Sequence, residues 1–327
     1  MKLGILGTGM IVQDFLQTIN ALDFEKVVLL STPHSQTKAR EMVKSYGLDD
    51  LYLDYDELLH SDVDTIYNAL PNHLHYAFSK KALEAHKNVI VEKPFTSNIQ
   101  EAEELANLAK ENHCFLLEAM TVHYMPAMQE LRKDIKNMGQ IKIVSLNYSQ
   151  YSSRYDRFQQ GEILPAFDYH KSGGALYDLN VYNLHFLLDL FGTPRSVDYM
   201  ANIEKGIDTS GLLTLDYGDF KAVTIGAKDC SAPLMNTIQG NEGYIMINKP
   251  VSRIHEYLFV DQSKSEETKT FTNNIHAMFY EFKEMKRIIE EKDVQQANKM
   301  LEISLRASSI MTAARRKAGI VFDADKD

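Results

Sequence analysis

Residues 2–21 constrain the fold more tightly than any other stretch. An apolar strand over residues 2–7 breaks into Gly7-Thr8-Gly9-Met10-Ile11-Val12, and a helical segment follows over residues 13–21. A strand feeding a helix through a glycine-rich turn is the phosphate-binding unit of a dinucleotide fold. Gly7 permits the tight turn, and Gly9 lets backbone amides approach a pyrophosphate at the positive end of the helix. Gly7, Thr8, Gly9, Met10 and Ile11 are therefore candidate cofactor contacts. Val12 stands where the third glycine of the G-x-G-x-x-G pattern belongs. The assignment thus rests on the order of elements rather than on the motif.

The following segments alternate as a parallel sheet with crossover helices would. Residues 27–30 read as a second strand, followed by Ser31, Thr32 and His34. An acidic residue after this strand selects NAD by holding the ribose 2′-hydroxyl. None is present, and Ser31, Thr32 and His34, helped by Lys38 or Arg40, suit a 2′-phosphate, so cofactor choice between NAD and NADP leans to NADP. Residues 64–70 make a third strand, ending at Leu70 and followed by Pro71-Asn72-His73-Leu74-His75. The two histidines lack a third ligand at any metal-site spacing, and no metal is expected. The β-branched run Val89-Ile90-Val91 suits a strand buried on both faces and ends in Glu92-Lys93-Pro94. Pro94 stops the strand, and Lys93 falls where open α/β sheets bind their ligands, outside the carboxyl ends of the strands.

Beyond residue 120 the period changes. Residues 141–152 alternate as a long half-covered strand, and residues 212–217 and 220–225 flank Gly218-Asp219 as a hairpin. Residues 235–239, 244–248 and 256–261 add strands; residues 261–269 read as an exposed loop, and two helices follow. The expected architecture is α/β. It has an N-terminal Rossmann doubly wound parallel sheet over residues 1–120. An α+β domain with a large, mostly antiparallel open sheet covers residues 121–327, its final helices free to pack back on the first domain. In that second half Gly173 and Gly174 feed a helix carrying Asp178 and Tyr182 at i and i+4, on one face. A carboxylate and a phenol so placed can hold hydroxyls and relay a proton; a capping aspartate and a buried tyrosine would look the same.

Composition removes other classes. No apolar run approaches the roughly 18 residues of a membrane helix. A net charge of −10 without long runs of one sign argues against a nucleic-acid surface. Cys114 and Cys230 are too few for a disulfide framework, and the N-terminus shows no signal-peptide pattern, so a cytoplasmic setting is expected.

Four segments, GILGTGMI, ALPNHLH, VIVEKPF and SGGALYDLNVY, fall in an order and spacing that resemble the glucose-fructose oxidoreductase / inositol dehydrogenase / MocA family. EAMTVHYMPAMQELRKDI and the tyrosine at 182 are similar to its dihydrodiol dehydrogenase and glucose-fructose oxidoreductase branch. The resemblance implies an NAD(P)-dependent oxidoreductase moving a hydride between nicotinamide and a carbinol or carbonyl carbon of a sugar, polyol or diol. It implies that Lys93 lines the nicotinamide pocket and helps bind the substrate hydroxyl. Leu70, Pro71, Asn72 and His75 would lie near the nicotinamide and its ribose, with Glu92 supporting them. Asp178 and Tyr182 would face the hydride-transfer site, and the C-terminal sheet would make a homodimer or higher homo-oligomer. Three residues depart from the pattern: Val12, Asn180 in place of a glycine, and Pro165 where the branch often has arginine. A tyrosine becomes a useful base near neutrality beside a cation, the part Lys93 would play; Lys93 as the proton donor is the alternative. A non-catalytic NAD(P)-binding sensor on the same fold is the competing function, and it would need neither residue.

Overall fold

In the computed structural model, residues 1–271 and 276–326 are described. They divide into two compact units, residues 1–119 with 276–305, and residues 120–271 with 306–326.

The first unit is built on six strands: β1 (Lys2–Leu6), β2 (Lys26–Leu30), β3 (Asp50–Tyr52), β4 (Thr65–Asn68), β5 (Asn88–Glu92) and β6 (Leu116–Ala119). All pair in parallel, in the order β3-β2-β1-β4-β5-β6. The chain runs outward in opposite directions from β1, so the crevice between β1 and β4 is the switch point at which such sheets take their ligands. Leu3, Ile5, Val28, Leu29, Ile66, Val89, Ile90 and Val91 are fully buried, as the strands of a sheet covered on both faces must be. The covering helices are α1 (Met10–Leu16), α2 (Gln36–Tyr46), α3 (Tyr55–His60), α4 (His75–Glu84) and α5 (Ile99–Glu111). Asn98 opens α5 by accepting the Glu101 amide at 2.9 Å, and Gly47 closes α2 at φ +68°. At three residues, β3 is too short to show a period in the sequence.

The second unit has eight strands: β7 (Ile141–Ser149), β8 (Ser196–Glu204), β9 (Ile207–Asp216), β10 (Lys221–Ala227), β11 (Asn236–Gly240), β12 (Gly243–Ile247), β13 (Glu256–Asp261) and β14 (Glu266–Thr270). Their order is β14-β13-β12-β11-β7-β10-β9-β8, antiparallel except where β7 meets β10. The hairpin at Gly218-Asp219 forms as expected, with Lys221 opposite Asp216. Where the sequence reads as an exposed loop, β14 forms instead: Glu-Glu-Thr-Lys-Thr has no apolar face, and it survives as an edge strand paired only with β13. One sheet face buries Val144, Leu146, Leu213, Leu215, Ile238 and Ile245. This unit also contains α6 (Pro126–Asp134), α7 (Tyr155–Gln159) and α8 (Val181–Phe191), which packs on β7 and β10.

Of the closing helices, α9 (Ala277–Glu290) belongs to the first unit, and α10 (Val294–Lys317) contributes to both. Phe282 of α9 packs against Phe15 with ring centres 4.1 Å apart, tilted, and edge-on to Tyr67 at 4.8 Å. Among the described residues no helix is long and apolar enough to cross a membrane.

Candidate active site

In the first unit Gly7 leaves β1 with φ +103°, its amide donating to the Leu30 carbonyl at 3.0 Å. A Cβ there would lie a tight 3.3 Å from the Ala69 carbonyl oxygen, and the positive φ is what demands glycine. Gly9 is the N-cap of α1 and supplies no side chain to its open amides. Nothing lies within 4 Å of where its Cβ would be. This bare, exposed cradle fits a pyrophosphate. Met10 is exposed and Ile11 half-buried, whereas Val12 is fully buried, so the replacement of the third glycine is absorbed by the core. Lys38 reaches back from α2 to donate to the Thr8 carbonyl at 2.6 Å, which brings a cation to the glycine turn.

The other candidates on this unit separate. Thr32 and His34 lie on an exposed turn, but Ser31 is buried with its hydroxyl donating to the Thr32 carbonyl at 3.2 Å. Pro71 and Asn72 remain accessible on the loop after β4. His75 does not. It is fully buried, with Nδ1 at 2.9 Å from the Pro94 carbonyl and Nε2 at 2.8 Å from the Leu70 carbonyl. Burial drives its pKa down to about 4, so the ring is neutral and donates to only one of the two. The geometry makes His75 a tie between the loop after β4 and the exit of β5.

That exit exposes one group. Of residues 89–98 every one is buried except Lys93. Glu92 is buried beside it, accepting the Tyr67 hydroxyl at 2.5 Å and the Lys93 amide at 3.2 Å. Two further glutamates that the sequence left unnoticed as site components lie in the same interior, Glu118 on β6 and Glu281 on α9, both buried. Burial pushes Glu118 up to about 7 and Glu281 well above the carboxylate range, each also repelled by Glu92. Three carboxyls buried together do not all ionise.

The second unit builds its site on the turn after Gly174. A Cβ on Gly173 would lie 2.6 Å from the Pro165 carbonyl oxygen, and one on Gly174 would lie 2.1 Å from Asp208 Oδ1. The chain then makes one π-turn over Leu176–Asn180 before α8 begins. The sequence predicts a plain α-helix here; the wider turn is a device that recurs at functional sites. Between residues 172 and 188 only Asp178, Leu179 and Tyr182 are not buried. Asn180 is buried against β10, its Cβ 2.8 Å from where Gly226 would carry one, so that strand glycine accommodates the departure at 180. Lys228, just past β10, donates to Asp178 Oδ2 at 2.6 Å and is itself buried. No local pattern marked Lys228. Below the turn, His123 bridges His185 and Asp189 of α8 at 3.0 Å each, and Arg132 closes on Asp189 at 2.7 Å. These bonds fix the roll of the helix that carries Tyr182.

Residues 1–120 match the profile of the Gfo/Idh/MocA group, an oxidoreductase family with an NAD-binding Rossmann fold. The whole chain is 33% identical over 331 residues to a scyllo-inositol 2-dehydrogenase (NADP(+)) of Bacillus subtilis, covering 100% of this chain and 99% of that protein. The chain belongs to this family. A trans-1,2-dihydrobenzene-1,2-diol dehydrogenase of Danio rerio is 24% identical over 339 residues, covering 99% of each. The fold is shared with a 3-ketoreductase of Actinomadura kijaniata in complex with NADP and TDP-benzene, with TM-score 0.81, 20% identity and 97% of each chain covered. As a member of the Gfo/Idh/MocA family, the protein is an NAD(P)-dependent oxidoreductase acting on CH–OH groups, and the non-catalytic alternative falls away.

Proposed function

We propose that this family member interconverts a ring carbinol and its ketone on a cyclic polyol or sugar, with NADP preferred, Tyr182 carrying the proton and Lys93 supporting it. The observation that carries the site assignment is selective exposure. Lys93, Asp178 and Tyr182 are polar groups left accessible within segments otherwise buried, and burying the rest holds their backbones rigid. When bound, the nicotinamide supplies a hydride acceptor or donor at its carbon 4. The chain manages the proton. In the oxidative direction Tyr182 takes the hydroxyl proton as the carbinol C–H bond breaks and the C=O bond forms. Asp178 accepts a hydrogen bond from a neighbouring hydroxyl. The cyclic polyol is favoured by the full-length identity to the inositol dehydrogenase.

The absence of an acid after β2 and the reach of Lys38 to the glycine turn support NADP. Calorimetric titration should find NADP bound at least as tightly as NAD; NAD bound tenfold tighter, about 1.4 kcal/mol, would contradict this. Gly9→Val should keep its Tm, since its Cβ meets open space, yet weaken both dinucleotides at least tenfold by filling the cradle. Unchanged affinity would place the pyrophosphate elsewhere.

The outer face of the eight-stranded sheet supports a homodimer. Met200, Leu212, Ile143 and Tyr244 are exposed on it, and registered pairs across β8, β9, β10, β7, β11 and β12 put them on one side. Exposed apolar residues aligned across a sheet face, here interspersed with polar ones such as Asp198, Thr214 and Lys221, support an interface. Light scattering should give twice 37.3 kDa at micromolar concentration, and Leu212→Asp should give the monomer. A monomeric parent protein would refute the dimer.

A further inference from the structure

Lys228 is 2% exposed, a rare state for a lysine. Its ammonium is held by two segments distant in sequence. It donates to Asp178 Oδ2 in the π-turn at 2.6 Å and to the Ala166 carbonyl at 2.7 Å, and it lies 4.6 Å from the centre of the Phe167 ring. A buried ammonium is costly unless such partners compensate it, and the face of an aromatic ring adds a cation–π contact. The pair it makes is lopsided. The lysine side chain is 3% exposed, whereas that of Asp178 is 35% exposed. The cation is locked inside while the carboxylate still reaches solvent.

We infer that Lys228 is a positioning residue of the substrate side: it fixes the Asp178 carboxylate, in place and in charge, as the acceptor for a substrate hydroxyl. The role rests on the function proposed above and adds to it the group that aims Asp178. By donating to the Ala166 carbonyl as well, Lys228 couples the short turn Pro165–Phe167 to the same carboxylate. Substrate hydroxyls would thus meet an acceptor whose orientation is set from β10, not from the flexible end of its own side chain.

Other titratable groups surround the pair and have to be separated from it. Asp208 on β9 accepts the Tyr199 hydroxyl and the Leu176 amide, each at 2.7 Å, and burial pushes it up to about 6. Asp229, next in the chain, is also desolvated, but the hydroxyls of Ser210 and Thr209, each at 2.7 Å, hold it below the usual range. Asp168 faces Lys171 at 3.7 Å. None of these three donates to or accepts from Asp178 in the bonds described, and Lys228 does.

The test uses the full chain with Lys228→Met, Lys228→Arg, Asp178→Asn and the double variant Lys228→Met/Asp178→Asn. Carboxyl carbon NMR, with the Asp178 signal assigned by its loss in Asp178→Asn, should show Asp178 titrating at higher pH in Lys228→Met and returning toward the parent in Lys228→Arg. In turnover, kcat/KM should fall tenfold to a hundredfold, mostly through KM, with the acidic limb of its pH profile moved upward and dinucleotide affinity unchanged. The double variant should be no worse than Asp178→Asn. An Asp178 titration unmoved in Lys228→Met, or losses that add in the double variant, would overturn the role. Should Lys228→Met fail to fold, Lys228→Gln takes its place: an Asp178 titration moved to higher pH supports the role, and an unmoved titration with unchanged KM refutes it. A parent protein that turns over no polyol or sugar refutes the proposed function instead; the NMR arm then judges the pair by itself.

Discussion

Tyr182→Phe is expected to lower turnover about 10²–10⁴-fold, the usual worth of a positioned acid or base. The ring of Tyr182 packs 6.0 Å from that of Tyr148, and phenylalanine keeps this contact while removing the exchangeable proton. Tm and dinucleotide affinity should therefore stay at the parent values. On the proposed function, Lys93→Met should also cripple turnover. If the two residues act as a unit, the double variant should be little worse than the poorer single one. Near-normal turnover in Tyr182→Phe would give the proton to Lys93. Steady-state rates measured across pH decide between them.

Asp325→Ala should produce the largest loss of stability. Arg315 of α10 is 1% exposed and held by Asp325 through both carboxylate oxygens, by the Ile320 carbonyl at 3.2 Å and by the Tyr177 hydroxyl at 3.2 Å. Its guanidinium lies 3.9 Å from the centre of the Phe322 ring. Removing Asp325 strands a buried cation, which costs about 3–5 kcal/mol. That corresponds to a fall in Tm on the order of 10 °C. The pH dependence has a definite sign. Burial opposes ionisation of Asp325, but Arg315 and Arg316 hold its pKa down to about 2, below its unfolded value. The stabilisation is therefore present above the unfolded pKa, near 4, and is lost as pH falls toward 2. Denaturant melts of Asp325→Ala and the parent should converge over that interval. A loss below about 1 kcal/mol at neutral pH would show the pair to be energetically idle, and a gap that persists undiminished at pH 2 would show that the stabilisation does not depend on the carboxylate's charge. Because Tyr177 precedes Asp178 in the π-turn, substrate affinity should weaken in the same variant.

The sequence carried the parallel sheet well because its strands are buried on both faces and its glycines are forced by geometry. Gly7 needs φ +103° and the residues after it need a bare cradle; both demands leave a mark in one dimension. Of the elements that escaped, which include β8, two have no such mark. β3 is three residues long, and β14 is polar throughout. For the same reason Lys228 was invisible: its partner Asp178 lies 50 residues earlier, and only the fold of β10 against the π-turn joins them. Glu281 sits one residue before Phe282 on the buried side of α9, where a charged residue is not expected. His75 shows what burial adds to a reading made from sequence. A histidine on a loop beside a candidate crevice invites a cofactor role, and the structure adds that its buried neutral ring lies between two carbonyls and donates to one of them.

The most direct test of the central claim is a hydride-transfer assay with NADP and NAD over cyclic polyols, aldoses and vicinal diols deuterated at the carbinol carbon. At least one ring polyol or sugar should reduce the dinucleotide, deliver its deuterium to carbon 4 of the nicotinamide and show a primary isotope effect or a pre-steady-state burst. Both dinucleotides binding with no transfer from any substrate of these classes would contradict it.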